Sequence, residues 1–262
     1  MEKKEKNKTK GRTKKKVKYG IKFFSPAYAT FAVLFAGHYL GLIETFSLAT
    51  YFIYGTAAFA IGLLAEKSYP NLFPYLGRNI YHSVGGVMVV VSSMFLLDLT
   101  SLLLLLFSIF MLFVTGFALE RIGIETMFFH GRTLRHVKDF AKSTHYEAGA
   151  SWLLSCILLL LFFDLNVAYA SILILAISDT AAGFIGRTIG RTKNPLNTKK
   201  TIEGSMAFFS TAVFAAMLFV PTSRALVVAF AAAVIESLPL KINDNLSVPL
   251  SAGVVMYLLK FL

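Results

Sequence analysis

Apolar residues run along this chain in long stretches, broken by short polar segments that carry most of its charge. A helix needs roughly 20 apolar residues to cross a bilayer, within a range of about 17 to 25. That ruler predicts nine helices, at 24–41, 46–65, 81–97, 99–119, 148–163, 166–186, 203–220, 223–238 and 246–262, with tight hairpins at 97–100 and 163–166. The expected fold class is all-α, a polytopic transmembrane helix bundle over residues 23–262 preceded by a polar tail at 1–22.

Composition agrees with that reading. Of 262 residues 56% are hydrophobic, including 25 Phe, far from the makeup of a soluble domain. The net charge of +12 is concentrated at the start: residues 1–22, MEKKEKNKTKGRTKKKVKYGIK, hold eleven Lys/Arg against two Glu, or +9, leaving +3 for the rest. Such a tail has no apolar face to bury and is expected to be disordered. Its expected partners are anionic headgroups at the cytosolic membrane surface, not nucleic acid. The tail is longer than a signal peptide's charged region and many further spans follow, so the first apolar segment is expected to be retained. Cys156, the single cysteine, sits inside an apolar run, which excludes an intramolecular disulfide and any Cys-rich metal site.

Charge also orients the spans. With the tail in the cytosol, the cytosolic connections are 66–80, 120–147, 187–202 and 239–245, and they carry thirteen Lys/Arg from Lys67 to Lys241. The opposite connections carry Glu44, Asp98 and Asp164 and no Lys or Arg, Arg224 lying just inside the next span. This is the asymmetry of the positive-inside rule, and it predicts an odd number of spans with the N-terminus inside. Every polar cluster of interest then lies on one side: Arg78/His82, the 120–147 loop, Asp179 to Glu203, and Glu236 to Asn245. A channel or carrier would place polar groups near the midplane or in two matched halves, and no inverted repeat is visible.

The segment SDTAAGFIGRTIGRTKNPLNTKKTIEGS, residues 178–205, holds the densest chemistry. Gly183, Gly186 and Gly190 make a stripe without side chains along which another helix, or a ligand's phosphates, can approach the backbone. Helix packing alone accounts for the glycines. It accounts poorly for Asp179, because an ionisable group inside a membrane helix is a functional candidate by default. Arg187, Arg191, Lys193, Lys199 and Lys200 suit a polyphosphate, with forked arginine donors and compact lysine charges. Thr201 is a fair N-cap for the next span, whose first backbone N–H groups would add to an anion site. Topology alone would explain the cations but not the flanking Asp179 and Glu203, which suit a divalent metal, magnesium, bridging protein and phosphates.

Two further stretches complete the set. In IESLPLKINDNLSVPL, residues 235–250, Glu236 sits at a helix end, Pro239 stops it, and Asn243-Asp244-Asn245 either caps the last helix or belongs to the site. In GRNIYHSVGG, residues 77–86, Arg78 and His82 are four apart and share a helix face. His130, His136 and His145 with Glu147 are too irregular for a metal motif, and neither a Gly-x4-Gly-Lys-[Ser/Thr] loop nor Gly-x-Ser-x-Gly occurs.

With these residues the chain resembles the CTP-dependent lipid-alcohol kinases, the dolichol kinase, phytol kinase and yeast-type diacylglycerol kinase group. The resemblance is carried by Asp179-Thr180-Ala181-Ala182 running into Gly186-Arg187 and Gly190-Arg191, and by Lys200-Thr201-x-Glu203-Gly204-Ser205. Glu236-Ser237-Leu238-Pro239, Asp244-Asn245-Leu246-x-x-Pro249 and, more weakly, Arg78-x3-His82 with Gly85 extend it. It implies transfer of the terminal phosphoryl group of CTP to a lipid hydroxyl at the cytosolic face. Asp179 and Glu203 would hold magnesium, with Glu236 and Asn245 as further metal-side groups. Arg187, Arg191, Lys193, Lys199, Lys200, Thr201, Gly186, Gly204 and Arg78 would receive the nucleotide, and Asp244 and His82 would orient the hydroxyl or take its proton. The Asp…Lys-Thr-x-Glu-Gly region is also similar to phosphatidate cytidylyltransferases, which use CTP to make a CDP-lipid. A transporter whose basic loops only set topology is the reading from another class. The alcohol and the oligomeric state are not legible, since Gly37/Gly41 and Gly186/Gly190 can pack helices within or between chains.

Overall fold

A computed structural model describes Gly41 and residues 73–121 and 144–261, with side chains over 82–118 and 147–261. The spans expected at 24–41 and 46–65, the tail, and the loop histidines His130 and His136 lie outside the described residues, save for a turn at Gly41 with φ of 71°.

Among the described residues the fold is all-helical, with seven helices: α1 (Phe73–Phe95), α2 (Leu99–Arg121), α3 (Thr144–Phe162), α4 (Leu165–Thr188), α5 (Ile202–Met217), α6 (Thr222–Ser237) and α7 (Asp244–Leu258). Two stretches, Leu99–Ala118 and Leu165–Thr188, are long and apolar enough to cross a membrane. The hairpins expected near 98 and 164 are present. Asp98 caps α2, its carboxylate accepting from the Ser101 N–H at 2.9 Å, and that bond holds its pKa below the usual carboxylate range.

Three helices start more than one residue earlier than expected, α1, α3 and α7 by eight, four and two residues. α1 begins at Phe73 and not near 81, because Pro74 falls in its first turn, where a proline costs no hydrogen bond. Arg78 therefore sits on a helix, one turn before His82. α7 begins at Asp244, capped by Asn243, whose side chain accepts from the Asn245 N–H. Asn243 is thus the cap, and Asp244 and Asn245 occupy the first turn.

α4 is the central element. It packs against α1, α3, α5 and α7, while α6 fills the space between α5 and α7 and α2 lies on α3. Its residues Val167 to Ala176 are buried on every side, which small residues such as Ala168, Ala170 and Ala176 allow. Small residues continue into the next helices, Ala212, Ala215 and Ala216 on α5, which packs on α4, and Ala225, Ala229 and Ala232 on α6, which packs on α5 and α7, all buried. Association by close packing of small residues is what helices need when their surroundings are as apolar as their interfaces. The chain reverses at each connection, so the turns at 98, 164 and 221 share one end of the bundle. The segments 189–201 and 238–243 share the other. At the first end Lys260, beyond α7, pairs with Asp164 before α4, and that bond holds the Asp164 pKa low.

Candidate functional site

The segment 189–201 between α4 and α5 is compact. Its two limbs meet in an antiparallel bridge between Lys193 and Thr201, with Asn194 N–H donating to the Lys200 carbonyl at 3.0 Å and Ile202 N–H to the Thr192 carbonyl at 2.9 Å. Two asparagine turns close the tip, Asn194 Oδ1 accepting from Leu196 N–H and Asn197 Oδ1 from Lys199 N–H. Thr201 caps α5, its hydroxyl accepting from Gly204 N–H at 3.2 Å. The glycines permit the crossing below it. A Cβ on Gly186 would sit 3.0 Å from the Thr201 hydroxyl, and one on Gly204 would sit 3.0 Å from the Ala182 carbonyl and 3.4 Å from Gly186 Cα. Gly186 and Gly204 thus serve the contact between α4 and α5.

Glu203, expected to share a metal with Asp179, has its carboxylate on the loop backbone. Oε1 accepts from the Arg191 and Thr192 N–H groups, both at 3.1 Å, and Oε2 from Thr192 at 3.3 Å. It fixes the conformation of the chain that carries the cations. Arg187, Arg191, Lys193 and Lys199 lie exposed along this chain.

Three carboxylates gather beneath it. Glu236, buried at the end of α6, and Asp244, at the start of α7, both meet Lys200, whose Nζ lies 2.9 Å from Glu236 Oε1 and 2.8 Å from Asp244 Oδ2. Lys200 also donates to the Glu236 backbone carbonyl. Asp179, on α4, lies close enough for its charge to repel that of Glu236. Its own carboxylate has no hydrogen bond or ion pair among the described residues. Burial works against the Lys200 charge, but Glu236 and Asp244 outweigh it and hold the ammonium pKa above its ordinary value.

The remaining candidates divide. Asn245 is buried, its side-chain amide donating to the Ala148 carbonyl at 3.1 Å and so tying α7 to α3. His82 stacks at a tilt on Trp152, centroids 5.7 Å apart, at the same end of the bundle; the Arg78 side chain lies outside the described residues. Sequence reasoning missed the polar relay behind the loop. Buried Asn194 donates to Ser205 Oγ at 3.0 Å, Ser205 meets Ser237 Oγ at 3.2 Å, and Ser237 reaches Glu236 Oε2 at 3.5 Å. Ser205 and Ser237 stood in the motifs without a role, and Asn194 was not singled out.

One end of the bundle therefore joins a constrained cationic loop to an acidic cluster in which Asp179 has no bonded partner among the described residues. The chain is 29% identical over 120 residues to a probable phytol kinase, chloroplastic, of Triticum aestivum, a match covering 39% of this chain and 40% of that protein. It is a distant likeness to a lipid kinase. A second match, 38% identical over 100 residues, is to an uncharacterized protein of Rickettsia prowazekii and covers 35% of this chain and 48% of that protein. The chain spans less than half the length of these two curated relatives. No protein-family model and no solved structure matches it.

Among the described residues no three His, Cys, Asp or Glu side chains form a ready-made metal cage. Magnesium with a nucleotide does not need one, since it takes one or two carboxylates and completes its shell with phosphates and water. Asp179 suits that role by being unengaged among the described residues; Glu203 and Glu236 already have partners.

Proposed function

We propose that this protein is a multi-pass membrane kinase that moves the γ-phosphoryl group of CTP to the hydroxyl of a lipid alcohol, a prenol or diacylglycerol, at the cytosolic face. The observation that carries the reading is the gathering of Asp179, Glu236 and Asp244 beneath the cationic loop 189–201. Phosphoryl transfer asks the protein mainly to position groups and neutralise charge. Arg187, Arg191, Lys193 and Lys199 would meet the triphosphate, on a backbone that Glu203 holds in shape. Asp179 would hold magnesium, which when bound supplies charge neutralisation at the phosphates. The lipid oxygen bonds to the γ-phosphorus as the bond to the β–γ bridging oxygen breaks, CDP leaves, and the hydroxyl proton passes to Asp244 or His82. The likeness to a probable phytol kinase supports a prenol, and the apolar helices supply surroundings for its tail.

Thermal unfolding of the purified protein in detergent tests the nucleotide half of this reading. A ligand at 100 times its Kd stabilises the folded state by about 2.7 kcal/mol. CTP with magnesium should raise the Tm by several degrees, and Asp179→Ala should abolish the rise. No rise in the native protein would favour the transporter reading.

A further inference from the structure

Lys199 and Lys200 are adjacent cations in one loop, yet the fold gives them opposite surroundings. The bridge between Lys193 and Thr201 makes the two limbs a short antiparallel ladder, and side chains on such a ladder alternate between its faces. Asn194 and Lys200, paired through the Asn194 N–H to Lys200 carbonyl bond at 3.0 Å, share a face. That face is the inner one. Asn194 is buried against Ser205, and the Lys200 side chain is only 23% exposed, against Glu236 and Asp244.

An ammonium has three donors. Lys200 places them on Glu236 Oε1, Asp244 Oδ2 and the Glu236 backbone carbonyl. That carbonyl is among the last four of α6, which have no partner within the helix. One side chain thus joins the end of α6, the start of α7 and the cationic loop, and no donor remains for a phosphate.

We infer that Lys200 is a positioning residue, a latch that seats the loop on the α6–α7 turn and fixes Glu236 and Asp244, and that it is not a phosphate ligand. The contact with phosphate, which rests on the kinase reading above, falls to the exposed cations, Lys193 and Lys199 among them. The relay from Asn194 through Ser205 and Ser237 to Glu236 holds the same junction from its other side.

The test uses the full chain in detergent, with Lys200→Met, Asp244→Asn, their double variant, and Lys199→Met. Without nucleotide, Lys200→Met should lower the Tm and speed trypsin cleavage after Lys193 and Lys199 by roughly tenfold or more, the scale of a lost charged hydrogen bond. Asp244→Asn should do so more weakly, and should add nothing to Lys200→Met, because contacting partners are not additive. Folded Lys200→Met should bind CTP within about threefold of the native protein, whereas Lys199→Met should weaken binding with the Tm and the rate of cleavage after Lys193 unchanged. Unchanged proteolysis with about tenfold weaker CTP binding in Lys200→Met, or additive effects of the two substitutions, overturns the latch. If Lys200→Met does not fold, Lys200→Arg decides. Proteolytic resistance closer to native than that of Asp244→Asn supports the latch, and a fully accessible loop despite the retained charge contradicts it. If CTP binds none of the proteins, the kinase reading fails while Tm and proteolysis still judge the latch.

Discussion

Asp179 and Lys200 are both charges in an apolar protein, and their surroundings separate their roles. Lys200 is satisfied three times over. Asp179 has no bond among the described residues and repels Glu236, so neither observation gives it a stabilising role. We expect Asp179→Asn to leave the Tm unchanged or slightly raised, since it removes a repulsion at constant shape, and to cut phosphoryl transfer by at least about 100-fold, the usual cost of removing one charge-stabilising group. Enzyme assay and thermal unfolding on the same preparation check both halves. Lys200 makes a separate expectation about pH. Its pKa is raised in the folded protein, so its stabilisation is complete below the unfolded lysine value of about 10.4. It is lost only as pH rises through the higher folded value. Unfolding followed from neutral to strongly alkaline pH should show a decline confined to the alkaline end, and Lys200→Met should remove that part of the decline. The sequence displayed all five cations of the loop but not their division into inward and outward, because the register of a short ladder depends on turn geometry at Asn194 and Asn197.

At the scale of elements, apolar run length located the described helices within a few residues wherever both ends were apolar or capped, as at Thr201 and Asp98. It missed the starts of α1, α3 and α7, because 73–80, 144–147 and 244–245 carry polar residues such as Arg78, Glu147 and Asp244 and were read as connections. Helix contacts were legible as small-residue stripes, but which helix each stripe met was not. Gly186 faces Gly204 and Thr201 across the junction of α4 and α5, and Gly86 faces Ala176 where α1 crosses α4. A Cβ on Gly86 would overlap the Ala176 methyl group. Gly86→Ala should therefore force α1 off α4 and cost about 1–3 kcal/mol, the usual penalty of overpacking. Thermal unfolding checks the cost. Because the overlap adjoins the Ser83 hydroxyl bonds to Thr180 and the Ala176 carbonyl, one turn from Asp179, activity should fall with it.

For the whole molecule, alternating helix direction brings the loop 189–201, the end of α6 and the start of α7 to one end, while Asp98 and the Asp164–Lys260 pair mark the other. The charge asymmetry of the sequence anticipated that segregation. It could not anticipate that Glu203 would bind backbone amides or that a lysine would sit among the acids, since both depend on three-dimensional closure of the loop. The claim that this end transfers a phosphoryl group to a lipid is tested most directly with γ-labelled CTP and magnesium, offering prenols and diacylglycerol to the detergent-purified protein. We expect label in an organic-soluble lipid phosphate, with CDP as the other product, and none with Asp179→Ala. Label absent from every lipid would contradict the account; α-label appearing instead in a CDP-lipid from phosphatidate would assign the site to cytidylyl transfer.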